Sequence, residues 1–198
     1  MELDRLRSGP LEDVPDPAPV VSREVVYAGR VWDIVSETVT FAGHELTREY
    51  TAHTGAVAVL AVDDDDRVLL INQYRQPIGI RDWEVPAGLL DVAGEPPLEA
   101  ARRELAEETD LVAARWEPLV SFHSSPGGSN EVIHVFLARD LVPAPGTHAR
   151  TDEESEIVAR WVPLPEVVAA VLDGRVRNAP LMIAVLALQA RRGSAALD

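Results

Sequence analysis

The chain has no cysteine and no lysine, and none of its apolar runs is long enough to cross a bilayer. The lack of cysteine excludes disulfide bonds and metal sites built on thiolates. The lack of lysine means that all 18 strongly basic side chains are arginines. The chain also begins without a signal-peptide pattern. We therefore expect a cytoplasmic protein with no membrane partner.

Acidic side chains are in large excess: 33 aspartates and glutamates stand against 18 arginines, for a net charge of −15 at pH 7. A field of that sign repels nucleic acid unless a local basic patch exists, and no arginine-rich run supplies one. Hydrophobic residues make up 46% of the 198 residues, enough for a sizeable core. We therefore predict one compact domain with a small appendage and no nucleic-acid partner.

One short segment, Arg-Glu-Leu-Ala-Glu-Glu at residues 103–108, concentrates acidic charge. If it is helical, Glu104, Glu107 and Glu108 share one face, because residues three and four apart are neighbours on a helix. Three carboxylates that close repel one another, and a hard divalent cation would relieve the repulsion by taking their oxygens as ligands. Arg103, four residues before Glu107, can hold a carboxylate in place. The alternative is a solvated acidic face in an acidic protein.

The flanking residues predict a helix from Pro97 to Thr109. Proline suits the first turn of a helix, where its missing N–H leaves no hydrogen bond unmade, and Pro96 and Pro97 stand there. An apolar stripe would dock the helix on a sheet: Leu98, Ala101 and Leu105. Ala100 lies four residues before Glu104, so we place its methyl on the acidic face, where it leaves room for a metal ion and a diphosphate.

Three regions follow one another along the chain. Residues 1–20 are polar and rich in proline, which is typical of a disordered or extended arm. Residues 21–52 contain short segments of alternating apolar and polar residues, which predict a small antiparallel sheet. Residues 53–198 would then form the main domain, which holds the acidic helix.

Within that main domain, apolar runs and turn signals predict the order of elements. A buried strand at 55–62 is followed by four aspartates at 63–66, and Arg67–Arg75 would pair back on it as a hairpin. The aspartates suggest a cation site, although a solvated turn is the plainer interpretation. Asn178 would cap the last helix. Further strands are expected near 116–123, 131–139 and 159–163, and helices over 164–172 and 179–192.

Together these residues resemble the Nudix hydrolase signature. The matching positions are Gly88, Glu95, Arg103, Glu104, Leu105, Glu107, Glu108 and Leu111. The chain departs from the signature twice: six residues rather than five separate Gly88 from Glu95, and Asp110 replaces the final glycine. That glycine would end the helix in a left-handed conformation, which aspartate enters more readily than most residues. Neither departure removes a carboxylate.

The resemblance covers roughly residues 23–190 and is strongest to the ADP-ribose pyrophosphatase branch. Four stretches carry it: TREY (47–50), INQYRQP (71–77), WEVPAG (83–88) and SFHSSPGGSNE (121–131). The branch implies an α/β fold, a Nudix α/β/α sandwich with a mixed sheet, after a small N-terminal sheet over 21–52 that is domain-swapped in a homodimer. It also implies Mg²⁺-dependent hydrolysis of ADP-ribose to AMP and ribose 5-phosphate, with Mn²⁺ as a possible cation.

The same resemblance assigns site residues. The implied metal ligands are Glu104, Glu107, Glu108 and the backbone carbonyl of Ala87. The implied substrate contacts are Arg48, Glu49, Arg75, Leu89, Ser125, Gly127, Glu131 and, out of register by a residue, Trp32. Arginine suits phosphate oxygens, but an ordinary ion pair is the alternative for Arg48 and Arg75, and a core position is the alternative for Trp32. Gly88, Glu95 and Arg103 would be structural in the motif.

In this branch the general base lies on a late acidic loop outside the signature. Here that loop reads RTDEESE, and Glu153 is the favoured base, with Glu154 and Glu156 as alternates. The five histidines show no metal-ligand spacing and receive no role. Two rival functions stay open: hydrolysis of another nucleoside diphosphate sugar such as a GDP-sugar, and a non-catalytic ligand sensor on a Nudix scaffold. The retained carboxylates favour an enzyme.

Overall fold

A computed structural model describes residues 10–148 and 156–195. The chain divides into two compact units, Met1–Tyr50 and Thr51–Asp198. Two of the three candidate bases, Glu153 and Glu154, lie outside the described residues. Within the described ranges, no helix combines the length and the apolar character needed to span a membrane.

The first unit is built on a three-stranded sheet. Strands β1 (Val20–Tyr27), β2 (Asp33–Phe41) and β3 (His44–Ala52) lie side by side in that order, and β1 pairs with β2 antiparallel. Ala42 and Gly43 both have positive φ and make the tight turn between β2 and β3. Val35 is buried, whereas every residue of β1 is exposed. The expected small N-terminal sheet is therefore present, and much of its apolar surface lies open in the single chain.

The second unit contains two sheets and three helices. Strands β7, β4, β9 and β8 form one sheet in that order, and β10, β5 and β6 form the other. The strands are β4 (Ala56–Ala61), β5 (Arg67–Arg75), β6 (Ile80–Glu84), β7 (Ala87–Leu89), β8 (Leu111–His123), β9 (Val132–Pro143) and β10 (Val158–Pro163). The helices are α1 (Pro97–Thr109), α2 (Leu164–Leu172) and α3 (Ala179–Ala195). The pairing of β4 with β9 is parallel, which makes the larger sheet mixed.

The predicted hairpin of β4 with β5 is wrong. The two strands belong to different sheets and share only an isolated bridge between Val62 and Val68. The intervening turn redirects the chain: the carboxylate of Asp63 accepts the N–H groups of Asp65 and Arg67, and Asp66 adopts a left-handed φ of 61°. β4 is buried on both faces, which is typical of a central strand with a parallel neighbour rather than of a hairpin arm.

Two apolar clusters lie on opposite faces of the sheets. Val57 and Val59 of β4 pack toward α1, whereas Ala58 and Leu60 pack toward α2 and α3. Successive residues of a strand point to opposite faces, so the uninterrupted apolar run of β4 serves both layers. The unit is therefore an α/β/α sandwich, which confirms the fold class that the resemblance implied.

Candidate active site

Helix α1 ends where the signature predicts. Asp110 has φ 55° and ψ 33°, a left-handed conformation, and its N–H donates to the carbonyl of Ala106 at 2.9 Å. The aspartate thus takes the backbone conformation for which the signature uses glycine. The expectation for Ala100 is wrong, because its side chain is fully buried in the cluster beneath α1 and lines no open space. Glu108, two turns further on, is only 7% exposed, so the acidic face borders the core.

Arg103 connects three of the motif's carboxylates, those of Glu95, Glu104 and Glu107, by hydrogen bonds. Its Nε and Nη2 donate to the two oxygens of Glu95 at 3.2 and 3.0 Å. Its Nη1 donates to Glu104 at 2.6 Å and to Glu107 at 3.1 Å. The hydrogen bonds from Arg103 lower the pKa of Glu95, and the bonds to Glu95, followed by those to Glu104 and Glu107, raise the pKa of the guanidinium. Arg103 therefore stays charged and offsets part of the acidic charge.

Strand β7 contacts two glutamates of α1, Glu104 and Glu108. The N–H of Ala87 donates to Oε2 of Glu108 at 2.9 Å. A Cβ added to Gly88 would lie 2.0 Å from both Cδ and Oε1 of Glu104, far inside contact distance. The position therefore requires glycine because the Glu104 carboxylate lies directly against the backbone. The fold thus brings Glu104 and Glu108 close to β7, the strand that contains Ala87.

This arrangement has the donors that a hard divalent cation requires. The carboxylates of Glu104 and Glu108 face β7, and glutamate and main-chain oxygens are the ligand types that such ions take. Among the residues that the structure describes, no group of three or more acidic or histidine side chains is already spaced to hold a metal ion. Arg103 donates to both Glu104 and Glu107. The Glu107 carboxylate would have to shift from this position to bind the same ion as Glu104 and Glu108. The chemistry of the site fits a metal, and Arg103 sets its resting geometry.

The Ser-Pro-Gly-Gly segment forms a compact turn before β9. The carbonyl of Ser125 accepts the N–H groups of Gly128 and Ser129, both at 2.9 Å. The N–H of Thr51 donates to the carbonyl of Gly128 at 2.9 Å, which ties the turn to the start of this unit. Ser125 and Gly127 are exposed, and Glu131 follows the turn with a side chain that is 18% exposed.

Arg75 forms a bidentate ion pair with Glu84. Its Nε and Nη2 donate to the two oxygens of Glu84 at 2.6 and 2.8 Å, a fork that fixes the plane of the guanidinium. Glu84 is buried, whereas the Arg75 side chain is 41% exposed. Sequence reasoning missed this partner, although Glu84 lies in the WEVPAG stretch and β6 pairs with β5. The ion pair therefore fixes the Arg75 guanidinium and leaves part of the side chain exposed to solvent.

The remaining predicted site residues lie on other elements. Arg48 and Glu49 are exposed on β3 of the first unit, and Arg48 donates to the carbonyl of Thr47 at 2.8 Å. Trp32 lies between β1 and β2 and is 45% exposed, so it is not a core residue of the single chain. Glu156 forms an exposed ion pair with Arg81 of β6. Leu89 ends β7, beside Gly88.

Residues 52–184 match the NUDIX domain family. The chain belongs to that family. This Nudix chain is 40% identical over 173 residues to the ADP-ribose pyrophosphatase of Mycobacterium tuberculosis, a match that covers 86% of the chain and 82% of the relative. It is 35% identical over 170 residues to the ADP-ribose pyrophosphatase of Bacillus subtilis, covering 85% and 91%. These relatives confirm the resemblance to the ADP-ribose pyrophosphatase branch.

A solved structure supports the Nudix fold independently. The structure of an ADP compounds hydrolase superposes with a TM-score of 0.75 at 23% identity, covering 92% of this chain and 98% of that one. Nudix ADP-ribose pyrophosphatases generally use divalent cations, which agrees with the oxygen donors on α1 and β7.

Proposed function

We propose that this Nudix enzyme hydrolyses the diphosphate bond of ADP-ribose, giving AMP and ribose 5-phosphate, with Mg²⁺ as its cation. One observation carries the proposal: Glu104 and Glu108 are held against β7, in direct contact with Gly88 and the N–H of Ala87. The likeness to two ADP-ribose pyrophosphatases supports the choice of substrate. Mn²⁺ accepts the same oxygen ligands and is the alternative cation.

We assign each group of side chains a separate role in the reaction. Glu104, Glu107, Glu108 and the carbonyl of Ala87 would hold the cation, which when bound neutralises charge on the diphosphate and lowers the pKa of the attacking water. Arg103 restrains Glu104 and Glu107, and Glu95 restrains Arg103 through both oxygens. Arg75, oriented by Glu84, would contact the phosphates. The other expected substrate contacts on this unit are Leu89, Ser125, Gly127 and Glu131.

The first unit would complete the site from a second copy of the chain. This unit exposes a series of large apolar side chains on and beside its sheet, which in a stable protein usually mark an interaction surface. They are Val20, Val21, Val25, Val26, Tyr27, Val31, Trp32 and Phe41. A swapped homodimer would bury them and bring Arg48, Glu49 and Trp32 to the partner's substrate.

The substrate is tested by comparing kcat/KM for ADP-ribose, GDP-mannose and NADH in the presence of Mg²⁺. We expect ADP-ribose to exceed the other two by about tenfold or more, because a single base or sugar contact discriminates by roughly 1–3 kcal/mol. A lowest value for ADP-ribose would overturn the substrate assignment. Binding of ADP-ribose without any hydrolysis would instead support the ligand-sensor alternative.

Glu153 is the proposed general base. Replacing Glu153 by glutamine should lower kcat by about 10²–10⁴-fold, the usual contribution of a positioned base, because the amide cannot accept the proton of water. Mg²⁺ and substrate binding, measured by calorimetry, should stay unchanged. Glu154→Gln and Glu156→Gln are the matched controls. If one of those variants alone lost activity while Glu153→Gln did not, the base would be that residue.

A further inference from the structure

His53 is a buried imidazole close to a proposed substrate contact. Its side chain is 7% exposed, and its Nε2 lies 3.2 Å from Oε1 of Glu131. The N–H of Gly55 donates to its Nδ1 at 2.9 Å. A ring nitrogen that accepts a hydrogen bond carries no proton, so in the neutral ring the proton is on Nε2. The protonated ring nitrogen, Nε2, is therefore the one that faces Glu131.

Both oxygens of the Glu131 carboxylate have a polar neighbour. The hydroxyl of Ser124 donates to Oε2, while Nε2 of His53 lies 3.2 Å from Oε1. The N–H of Glu131 donates to the hydroxyl of Ser129 at 3.1 Å, which fixes the backbone as well. Hydrogen bonds to a charged acceptor are stronger than those between neutral groups. The Glu131 carboxylate thus has a polar contact at each oxygen before any ligand binds.

The same histidine is tied to the strand that carries the candidate metal site. The carbonyl of Gly55 accepts the N–H of Leu90 at 3.0 Å, directly after β7. Gly55 has φ +92°, a conformation that favours glycine, and a Cβ there would lie 3.3 Å from both Leu90 Cδ1 and the carbonyl of Val132. The backbone N–H of His53 also donates to Oδ1 of Asn130 at 2.7 Å. His53 therefore links the loop after β7 to the turn that precedes Glu131.

We propose that His53 is a positioning residue, which as the neutral Nε2–H tautomer aims the Glu131 carboxylate at the substrate. The role rests on the proposed function, in which Glu131 contacts the nucleotide sugar. The contrasting possibility is that His53 only closes the turn through Gly55. Two substitutions separate these roles, because each retains the hydrogen-bonding group of only one of the two ring nitrogens.

Asparagine at position 53 places an acceptor where Nδ1 stands, so it keeps the turn with Gly55 but removes the donor to Glu131. Glutamine reaches as far as Nε2, so it retains a donor to Glu131. We expect His53→Asn to raise KM for ADP-ribose about tenfold with little change in kcat, since it loosens the Glu131 carboxylate that contacts the bound substrate. His53→Gln should stay within about threefold of the wild type. His44→Asn, at an exposed histidine of β3, is the matched control and should leave both constants unchanged.

A double-mutant cycle with Glu131→Ala measures the coupling directly. In the Glu131→Ala background, His53→Asn should change kcat/KM by less than about twofold, because its target is already gone. An equal loss in both backgrounds, or no recovery in His53→Gln, would overturn the positioning role and leave a structural one.

The tautomer is measured on the wild-type chain without substrate, by NMR of ¹⁵N-labelled histidine with His53→Asn to assign the signal. We expect Nε2 to be protonated and Nδ1 not. A proton on Nδ1 would contradict the inference even if ADP-ribose were hydrolysed normally. Conversely, wild-type protein that hydrolysed no nucleoside diphosphate compound would overturn the proposed function and the positioning role together, while the tautomer would still show whether the contact exists.

Discussion

Replacing Glu104 by glutamine is expected to lower kcat/KM for ADP-ribose by about 10³-fold, because the charge stabilisation lost is several kcal/mol and each 1.4 kcal/mol is a factor of ten. The substitution keeps the shape of the side chain and an oxygen for Arg103, but removes the negative charge that would bind the cation. Glu104 lies against Gly88 in the wild-type chain, so the amide has the same packing. Glu108→Gln should have a similar effect.

Glu99→Gln is the matched control, since Glu99 lies on the same helix, pairs with Arg102 at 2.8 Å and is half exposed. It should retain full activity. Circular dichroism and the melting temperature should show that all three variants fold. Near-normal turnover in both Glu104→Gln and Glu108→Gln would contradict the assignment of the metal ligands.

A single methyl group at position 88 should also inactivate the enzyme. In Gly88→Ala the new Cβ would stand 2.0 Å from the Glu104 carboxylate, so the side chain must move by an ångström or more. A misplacement of about 1 Å at a reacting centre can cost about 10²-fold in rate, and we expect a loss of that size in kcat/KM. The measurement is steady-state hydrolysis over a range of Mg²⁺ concentrations, and the apparent Mg²⁺ affinity should fall as well.

The control for this substitution is Gly146→Ala, because a Cβ at Gly146 would have no heavy atom within 4 Å. That variant should behave as the wild type. Full activity of Gly88→Ala with unchanged Mg²⁺ dependence would mean that the close approach of Glu104 to β7 has no part in catalysis.

The sequence predicted α1 well because its determinants are local. The prolines at its start, the spacing of its glutamates and the left-handed residue at its end all act within one or two turns. The helix indeed runs from Pro97 to Thr109, and Asp110 adopts φ 55°. Asn178 likewise accepts the N–H of Leu181 at 3.1 Å and caps α3 as expected.

Strand partners were not predictable in the same way. An apolar run that is buried on both faces has the same appearance whichever strand pairs with it. β4 pairs in parallel with β9, joining Ala56 to Ile133, and no local pattern specifies a partner so far along the chain. The nearer strand β5 was the natural but wrong choice.

The errors and omissions at the site have a related cause. Helical spacing gives the direction of Ala100 around α1 but not how closely the helix packs on the sheet. Ala100 is in fact fully buried. The pairing of Arg75 with Glu84 depends on the register of β5 and β6. The contact of His53 with Glu131 joins residues in separate segments, so a lone histidine in the sequence gave no sign of it.

The central claim is that the glutamates of α1, together with β7, bind a divalent cation that in turn binds a pyrophosphate group. A crystal structure of the chain grown with Mg²⁺ and a non-hydrolysable ADP-ribose analogue tests it most directly. The account predicts a Mg²⁺ ion within about 2.1 Å of oxygens from both Glu104 and Glu108, shared with the phosphates of the analogue. An analogue bound at another surface, or phosphates bound here with no metal between them and these carboxylates, would contradict it.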